Sequence, residues 1–311
     1  MILTITMNPS VDMSYPLPNL QLDAVNRVEQ VSKTAGGKGL NVSRVLHQLD
    51  KELLATGVIG GHLGAFIKDK LSEAGISHDF TEIKEESRNS IAILHDHGQQ
   101  TELLEKGPTV TQEEEERFIQ HYQKLLESSS LVTISGSLAA GLSADLYEQL
   151  IALAKEKNIP VLLDTSGGAL RGAVISGTPP FLIKPNETEV AELLSVDRAE
   201  KESLIEQLQH SIFQGIEWIV VSMGAAGAVA KHGDVLYRVT IPKIEVVNPV
   251  GSGDATLAGL AAGIYAGCSD EDILKWGMTT GMLNAMEEKT GCIDPQGINE
   301  LFHQIQVEKI Q

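Results

Sequence analysis

The stretch LVTISGSLAAGLSADLYEQLIALAKEKNIPVLLDTSG, residues 131–167, determines the fold class. It begins with an apolar run, LVTIS, continues into an amphipathic segment, ADLYEQLIALAKEKN, and returns to a second apolar run, VLLD. Runs that are apolar throughout indicate strands buried on both faces of a parallel sheet. The stretch therefore predicts a strand, a helix and a second strand parallel to the first.

The same alternation continues further along the chain. The runs FLIKPN and WIVVSMG again place polar residues directly after an apolar strand. Ligands of α/β proteins bind beyond the carboxyl ends of the strands, where the polar ends SG, DTSG, KPN and SMG fall. Upstream, residues 111–128 carry a capping box, Thr111 with Glu114, and predict a helix with a solvated acidic first turn.

The N-terminal third has a different pattern. Residues 88–107, RNSIAILHDHGQQTELLEKG, alternate apolar and polar side chains on both sides of a DHGQQ turn, which indicates a half-exposed hairpin. Residues 1–9 and 26–34 predict further strands. We therefore expect one domain over residues 1–311, with a small β lid formed from strands within about residues 8–35 and 86–106.

Charge and composition exclude several classes of partner. The chain has 24 basic and 42 acidic residues, a net charge of −18, which opposes binding of nucleic acid or an anionic membrane. A phosphate site must then rest on local cations, backbone N–H groups or a metal ion. We expect a cytoplasmic protein, since no transmembrane or signal pattern is found. We also expect Cys268 and Cys292 to be reduced thiols.

Residues 248–263, NPVGSGDATLAGLAAG, place Asp254 directly after a Gly-Ser-Gly turn. A strand is expected to end at Val250 and a helix to begin in the turn. The free N–H groups of residues 251–253, and with them that of Asp254, would then face an anion. Two interpretations stay equal on these residues alone: an anion-binding nest, or a plain turn with Asp254 as a helix cap.

Residues 35–46, AGGKGLNVSRVL, form a second cluster. Its paired glycines allow the backbone to approach a ligand closely, and Lys38 adds a charge. Asn41 offers a donor and an acceptor to a hydroxyl group, and Asp12 can accept from two neighbouring hydroxyls. The cluster predicts a small polyhydroxylated ligand, although each residue alone is more often a turn or cap residue.

Residues 181–194, FLIKPNETEVAELL, form a third cluster. Asn186 and Glu189 are three residues apart at the start of a helix, and their oxygens suit Mg²⁺ held through water, while Lys184 can contact a nucleotide phosphate. The alternative is a capping box between Asn186 and Glu189. Arg88 is a candidate for clamping a phosphate, with a surface arginine as its alternative.

Two common nucleotide-binding patterns are missing from the sequence. No GxxxxGK[ST] occurs, which disfavours a P-loop enzyme, and no GxGxxG follows the first strand. The run GGHLG, residues 60–64, keeps a dinucleotide-dependent dehydrogenase as a weaker alternative.

Taken together and in this order, the clusters resemble the ribokinase-like PfkB family of carbohydrate kinases over nearly the whole chain. AGGKGLNVSRVL is similar to the first family signature, NPVGSGDATLAGLAAG to the second, and KPNETE to the metal-associated N-x-x-E segment. TMNPSVD and GGKGLNVSRVL look most like the branch that acts on sugar phosphates. The resemblance implies an α/β fold, a ribokinase-like three-layer α/β/α domain with a small β-sheet lid.

The resemblance also implies roles for individual residues. Asp254 would be the general base, and Gly251, Ser252 and Gly253 would form the anion hole. The sugar phosphate would be held by Asp12, Gly36, Gly37, Lys38, Asn41 and Arg88. The nucleotide would be bound by Lys184, Asn186, Ser222, Gly224, Gly227 and Asn284. Mg²⁺ would be organised by Asn186 and Glu189.

The activity implied by the resemblance is ATP-dependent phosphorylation of a ketohexose phosphate. The expected substrate is tagatose 6-phosphate, converted to the 1,6-bisphosphate in lactose and galactose catabolism, with fructose 1-phosphate or fructose 6-phosphate as alternatives. A non-catalytic sugar-phosphate sensor is the alternative from another class. In some relatives the lids pair, so a homodimer through the lid is a further expectation.

Overall fold

The computed structural model describes residues 1–96, 99–195 and 203–310. The strands are β1 (Ile2–Thr6), β2 (Ser10–Pro16), β3 (Ser32–Gly36), β4 (Leu53–Gly60), β5 (Thr81–Ile83), β6 (Arg88–His95), β7 (Gln99–Leu104), β8 (Leu131–Ser135), β9 (Val161–Asp164), β10 (Leu182–Ile183), β11 (Trp218–Ser222), β12 (Ala228–His232), β13 (Val235–Thr240) and β14 (Gln306–Lys309). The helices are α1 (Lys38–Gln48), α2 (Gly61–Glu73), α3 (Gln112–Leu125), α4 (Leu146–Glu156), α5 (Gly167–Ile175), α6 (Glu187–Leu194), α7 (Leu204–Gln207), α8 (Ser252–Tyr265), α9 (Asp270–Ala285) and α10 (Ile298–Gln304).

Ten strands form the main sheet in the order β14-β13-β12-β11-β10-β9-β8-β1-β4-β5. The strands from β5 to β11 in this order are parallel, and β12, β13 and β14 add an antiparallel edge. The predicted strand, helix and strand of residues 131–167 are β8, α4 and β9, and β8 pairs with β9 in parallel. The carboxyl ends of the parallel strands therefore share one edge.

Helices cover both faces of this sheet. Successive residues of β1 point to opposite faces: Ile2 belongs to one buried core with Leu40 and Leu257, and Leu3 belongs to a second with Phe118. Every residue of β1 is buried, as expected for a strand covered on both sides. The fold is the three-layer α/β/α arrangement predicted from the sequence.

Helix α8 lies in the middle of one helical layer and is buried over most of its length. Small residues let it pack directly against α9: a Cβ added at Gly259 would collide with the carbonyl oxygen of Trp276, and one at Gly277 would crowd Leu260 at 2.8 Å. A helix that is apolar on all sides is stable only when it is buried in this way. The close packing holds the start of α8 beside Lys184, just after β10.

A second sheet has the strand order β3-β2-β6-β7. β2 pairs with β3 and β6 with β7 in antiparallel fashion, whereas β2 and β6 are parallel. The predicted hairpin of residues 88–107 corresponds to β6 and β7, and residues 97 and 98 of its turn lie outside the described residues. The use of this sheet as a lid stays a prediction.

The acidic start of α3 departs from the prediction. The capping box is confirmed, since Thr111 accepts from the N–H of Glu114 and Glu114 accepts from the N–H of Thr111. The solvated first turn is correct for Glu113 and Glu116, which are exposed, and wrong for Glu114 and Glu115, which are buried. Their carboxylates accept from the backbone N–H groups of Lys84 and Ser143, respectively, so they tie neighbouring loops to the helix.

The segment before α8 also differs from the prediction, because residues 241–250 form no strand. The N–H groups of Val247 and Asn248 both donate to the carbonyl oxygen of Ala285. The Asn248 side chain accepts from the N–H of Val250 and donates to the carbonyl of Glu288. The apolar composition suggested a strand here, but backbone N–H groups of this segment form hydrogen bonds with the end of α9 and not with a neighbouring strand.

Cys268 and Cys292 are free thiols. None of the helices in the described ranges combines the length and the apolar character needed to cross a membrane.

Candidate active site

A cleft opens at the carboxyl ends of β1, β8 and β9, between the main sheet and the second sheet. It is lined by Thr6, Asn8, Gly37, Lys38, Arg88, Ser135, Gly136, Ser137, Thr165 and Ser166. Three of the predicted site residues are among them, and they come from two structural units: Gly37 and Lys38 from the start of α1, and Arg88 from the second sheet. The cleft has the position expected for a ligand site on a parallel sheet.

Asp254 lies in the first turn of α8 and is only 5% exposed. Its Oδ2 accepts a hydrogen bond of 2.7 Å from Nδ2 of Asn41. Burial, together with the nearby charge of Asp164, raises the pKa of Asp254 to about 7, against the opposing effects of the Asn41 hydrogen bond and two lysines. A carboxyl group that titrates near neutral pH is suited to accept a proton during a reaction.

The turn before α8 presents unpaired backbone donors. Gly251 adopts a left-handed conformation with φ of 84°, which turns the chain into the helix. Within the described part of the chain, the N–H groups of Gly251, Gly253 and Asp254 have no protein acceptor, whereas that of Ser252 donates to the carbonyl of Pro249 at 3.2 Å. Three N–H groups at this turn are therefore available to an anion, whereas the N–H of Ser252 is used within the turn; the predicted anion hole stays a prediction.

Two lysines approach this turn and share one carboxylate. Lys184, 5% exposed, places Nζ 3.2 Å from Oδ2 of Asp164, and Lys38 places Nζ 3.8 Å from Oδ1 of the same residue. A Cβ added at Gly253 would lie 3.3 Å from the Lys184 ammonium. Asp164 was not predicted as a site residue, although it lies at the polar end of the run VLLDTSG, a position that indicates a ligand site on a parallel sheet.

Arg44 is a second residue that the sequence analysis missed. Its guanidinium donates to the carbonyl oxygen of Ala35, to Oδ1 of Asn41 and, at 3.3 Å, to the carbonyl oxygen of Thr290. Because Oδ1 of Asn41 accepts from Arg44, the amide nitrogen of Asn41 must face Asp254. Arg44 lies three residues after Asn41, a spacing that brings two side chains together on one helix face.

Asp12 lies on β2, and its Oδ1 accepts a 2.6 Å hydrogen bond from the hydroxyl of Ser10. Burial raises the pKa of this carboxyl, against the charges of Arg44 and Arg88. A Cβ added at Gly36 would overlap the Asp12 carboxylate, so any larger residue at that position would displace this carboxylate. The structure thus brings the predicted residues Asp12 and Gly36 together.

Arg88 begins β6 and reaches the chain segments that connect the two sheets. Its Nε donates to the carbonyl oxygen of Asn8 at 3.3 Å, and its Nη1 donates to that of Glu105 at 3.2 Å. Gly37 caps α1 with φ of 109° and lines the same cleft. Arg88 is therefore anchored at two of its nitrogens and is not a free surface arginine.

Asn186 and Glu189 form the capping box that was the alternative interpretation. Oδ1 of Asn186 accepts from the N–H of Glu189, and Oε2 of Glu189 accepts from the N–H of Asn186, both at 2.9 Å. No group of three or more His, Cys, Asp or Glu side chains that could hold a metal ion is found in the described ranges. The pair would therefore suit only an Mg²⁺ ion held mainly by water and phosphate, because the capping box already uses one oxygen of each side chain.

The other residues predicted for the nucleotide lie close to this pair. Ser222 ends β11 and forms an isolated parallel bridge with Asn186, so the two predicted segments adjoin. Gly224, with φ of 55°, has open space where a side chain would be. Gly227 has φ of 88°, and a Cβ there would collide with the carbonyl oxygen of Val239, which gives this glycine a packing role.

Asn284 requires a correction. It is fully buried in α9, its Nδ2 donates to the carbonyl oxygen of Val250 at 2.9 Å, and its Oδ1 accepts from the N–H of Gly291 at 2.8 Å. An amide that is buried and hydrogen-bonded in this way supports the turn before α8 and does not contact a nucleotide.

The run GGHLG, residues 60–64, gives no support to a dinucleotide site. It connects β4 to α2, but the carboxylate of Glu86 accepts from the N–H of Leu63 at the start of that helix. A Cβ at Gly61 would collide with the same carboxylate. The position that a pyrophosphate would need is therefore taken by an anionic side chain of the protein.

The raised pKa of Asp254 predicts a pH-dependent stability difference for Asp254→Asn. From pH about 4 to about 7 the folded chain holds a proton on Asp254 that the unfolded chain, with the ordinary pKa of 3.8, has released. Native stability therefore falls as pH rises through this window, and asparagine removes the effect. In urea unfolding, we expect the difference in unfolding free energy between variant and wild type to shift by about 4 kcal/mol in favour of the variant between pH 4 and pH 7.5. A difference that does not change with pH would contradict the raised pKa.

Comparisons with known proteins agree with this geometry. Residues 5–296 match the profile described as pfkB family carbohydrate kinase. A Staphylococcus aureus protein described as a candidate phosphofructokinase is 30% identical, with 100% of this chain and 99% of that chain covered and a TM-score of 0.86. Two further structures share the fold. The Escherichia coli phosphofructokinase-2 in complex with potassium is 24% identical, with 97% of this chain and 98% of that chain covered and a TM-score of 0.90. A Thermotoga maritima protein described as a possible 1-phosphofructokinase is 23% identical, with 100% of both chains covered and a TM-score of 0.87. The chain belongs to the pfkB family of carbohydrate kinases.

Proposed function

We propose that the protein transfers the γ-phosphate of ATP to a ketohexose phosphate, with D-tagatose 6-phosphate as the preferred acceptor and D-tagatose 1,6-bisphosphate as the product. Family membership supports sugar phosphorylation by ATP. The observation that carries the reaction type is the Asp254 carboxyl, with a pKa of about 7, next to three unpaired N–H groups. The similarity to proteins described as phosphofructokinases supports a phosphorylated ketohexose.

In the proposed reaction, the acceptor hydroxyl transfers its proton to Asp254 as its oxygen attacks the γ-phosphorus. The bond between that phosphorus and the oxygen of the ADP leaving group breaks at the same stage. The N–H groups of Gly251, Gly253 and Asp254 receive the negative charge of the transferred group. Asn41 keeps the carboxylate in place through its 2.7 Å hydrogen bond.

The sugar phosphate is proposed to lie between the main sheet and the second sheet. The Asp12 carboxylate accepts from hydroxyl groups of the sugar, and the Asn41 amide donates to one. Glycine at positions 36 and 37 allows the sugar to approach the backbone closely. Arg88, anchored by the carbonyl oxygens of Asn8 and Glu105, binds the phosphate that the substrate already carries. Closure of the second sheet over the cleft would exclude water and limit hydrolysis of ATP.

The nucleotide is proposed to bind where the segments at Lys184 and Ser222 adjoin. Lys184 faces the phosphates, and the open side of Gly224 leaves room for the rest of the nucleotide. Bound Mg²⁺ would neutralise phosphate charge during transfer. Glu189 and Asn186 would hold it through water, because both side chains also cap α6.

The first test compares tagatose 6-phosphate, fructose 1-phosphate and fructose 6-phosphate by kcat/KM in a coupled ADP-release assay.

Asp254→Asn should lower kcat at least about a hundredfold with KM for ATP and sugar unchanged, which is the magnitude of a lost general base. The exposed Asp234→Asn is the matched control and should behave like the wild type. Near-normal turnover in Asp254→Asn would contradict the proposed role. If the wild type binds all three sugars but phosphorylates none of them, the result would support the alternative function, a non-catalytic sugar-phosphate sensor.

Arg88→Ala should weaken binding of the phosphorylated sugar by about 2 kcal/mol, because a charge-assisted contact is lost, and leave ATP binding unchanged. Titration calorimetry with the phosphorylated sugar and its unphosphorylated parent separates the phosphate contact from damage to the connecting segments. Arg88→Lys keeps the positive charge but loses the planar guanidinium. Its affinity for the phosphorylated sugar should therefore lie between those of the wild type and Arg88→Ala. Equal weakening of both sugars would contradict the phosphate contact.

A homodimer through the second sheet is the proposed assembly. Large apolar side chains are exposed on this sheet and its connecting loop: Leu22, Val25, Leu103 and Leu104. Burial of the residues on one face of this sheet against a second copy removes apolar surface from water. We expect a dimer in sedimentation and a shift to monomer in Leu103→Asp, but not in Ile175→Asp, which changes an exposed apolar residue on α5. A wild-type monomer at micromolar concentration would contradict this assembly.

A further inference from the structure

Helix α1 carries three polar side chains on one face, and each of them reaches a different part of the chain. The residues are Asn41, Arg44 and Gln48, whose spacings of three and four bring their side chains together on a helix. Asn41 donates to the Asp254 carboxylate at the start of α8. Gln48 donates to the carbonyl oxygen of Gly291, after α9, at 3.0 Å. Arg44 lies between these two contacts.

Arg44 joins the Asn41 amide to the segment that follows α9. Its Nη2 donates to Oδ1 of Asn41 and, at 3.3 Å, to the carbonyl oxygen of Thr290. The next residue, Gly291, has φ of 68°, and a Cβ added there would lie 2.9 Å from Nε of Arg44. A larger residue at this position would therefore displace the guanidinium.

The same segment is tied to the residue before the glycine turn. The N–H of Gly291 donates to Oδ1 of Asn284 at 2.8 Å, and Nδ2 of Asn284 donates to the carbonyl oxygen of Val250 at 2.9 Å. The turn also packs directly on this segment, because a Cβ added at Gly251 would come within 2.3 Å of Cγ2 of Thr290. The first end of the turn is therefore fixed through Asn284.

These contacts close a ring around the turn of residues 250–254. The first end of the turn is held by the buried amide of Asn284, and the Asp254 carboxylate at the other end is held by the Asn41 amide. Arg44 closes the ring, since it bonds both to Asn41 and to the segment that Asn284 holds. A base and donors that are held in place before a ligand arrives need no reorganisation during a reaction.

The orientation of the Asn41 amide decides which charge state of Asp254 is favoured. With Nδ2 toward the carboxylate, the amide donates and stabilises the anion, whereas a flipped amide would present Oδ1 and accept from the protonated acid. Burial and the charge of Asp164 raise the pKa of Asp254, while the Asn41 hydrogen bond, Lys38 and Lys184 lower it. Loss of the correct orientation would therefore raise this pKa further.

Arg44 also carries a charge into this region. Burial lowers the pKa of its guanidinium, against the opposing effects of Asp12, Asp254 and Cys292. An arginine stays protonated over the whole range in which a carboxyl group titrates. The charge of Arg44 and its bond to Asn41 both favour the Asp254 anion, and only the second effect depends on the Asn41 side chain.

We propose that Arg44 is a positioning residue for phosphoryl transfer, which keeps the amide nitrogen of Asn41 directed at Asp254 and closes the ring that holds the glycine turn. This inference rests on the proposed kinase function. In this role Arg44 contacts no reacting atom and stays protonated. The acceptor proton goes to Asp254 as the new bond to the γ-phosphorus forms and the bond to ADP breaks.

The first test follows the Asp254 carboxyl in the full chain without any substrate. Aspartate carboxyl groups are labelled with carbon-13, and the Asp254 signal is assigned by its loss in Asp254→Asn and titrated by NMR. Arg44→Met should raise the midpoint by about one pH unit, because a hydrogen bond to a charged group is lost. Gln48→Met is the matched control: it loosens the segment at Gly291 but not the Asn41 amide, and it should leave the midpoint unchanged. An unchanged midpoint in Arg44→Met, or an equal shift in Gln48→Met, would overturn the inference.

Two further variants separate the bond to Asn41 from the charge of Arg44. In an Asn41→Ala background, most of the shift caused by Arg44→Met should disappear, because the amide through which Arg44 acts is gone. Gly291→Ala crowds the guanidinium from the other side of the ring and keeps its charge, so it should shift the midpoint in the same direction. Equal shifts in both backgrounds, or a folded Gly291→Ala with the wild-type midpoint, would overturn the inference.

Kinetics extend the test to the reaction. In the coupled ADP-release assay, Arg44→Met should move the acid limb of the kcat/KM profile to higher pH, because the Asp254 anion is the active form. Arg117→Met is the matched control: it removes a guanidinium that donates to the carbonyl oxygen of Glu82, outside the cleft, and should leave the profile unchanged. A loss of kcat/KM that is uniform across pH would mark a purely structural role and overturn the inference. A shifted NMR midpoint without turnover on any of the three sugars would support the link from Arg44 to Asp254 and count against the proposed substrate.

Discussion

The hydrogen bond between Asn41 and Asp254 is the contact on which the rest of the site depends. It joins α1 to the first turn of α8, over a separation of 213 residues in sequence. Arg44 fixes the orientation of the Asn41 amide and also donates to the carbonyl of Ala35, where the chain leaves the second sheet. One short chain of contacts therefore couples the Asp254 carboxylate, the glycine-rich cluster of residues 35–46 and the sheet that borders the cleft.

A buried carboxyl at this position is unfavourable for stability and useful for chemistry. Its pKa of about 7 results from burial and from Asp164, so the native fold holds a proton that water would remove. The glycine at 251 and the buried amide of Asn284 keep the turn in a shape that leaves three N–H groups unpaired. In a chain with a net charge of −18, this helix start and the lysines beside it supply the local positive potential that an anionic substrate requires.

Several features could be predicted because they depend on neighbours in sequence. The apolar runs of β8 and β9, the capping box of Thr111 and the glycine turn at 251 are local patterns, and they were predicted correctly. Local patterns failed where a distant partner decides the outcome. The acidic start of α3 is buried because Glu114 and Glu115 bind N–H groups of other loops, and the segment before α8 is no strand because its N–H groups pair with Ala285.

The sequence by itself determined the alternating strands and helices of a parallel sheet and the order of the glycine-rich clusters, because periodicity and motif spacing depend on neighbours along the chain. The resemblance to a sugar kinase family, which rests on those clusters, implied the three-layer fold. Only the tertiary structure decided which groups meet. Asp164 joins the lysines at 38 and 184 because parallel strands end at one edge of the sheet, and Asn284 turns inward because α9 packs on α8. A pKa near 7 is likewise a property of the assembled site, since burial and the charges of distant residues set it.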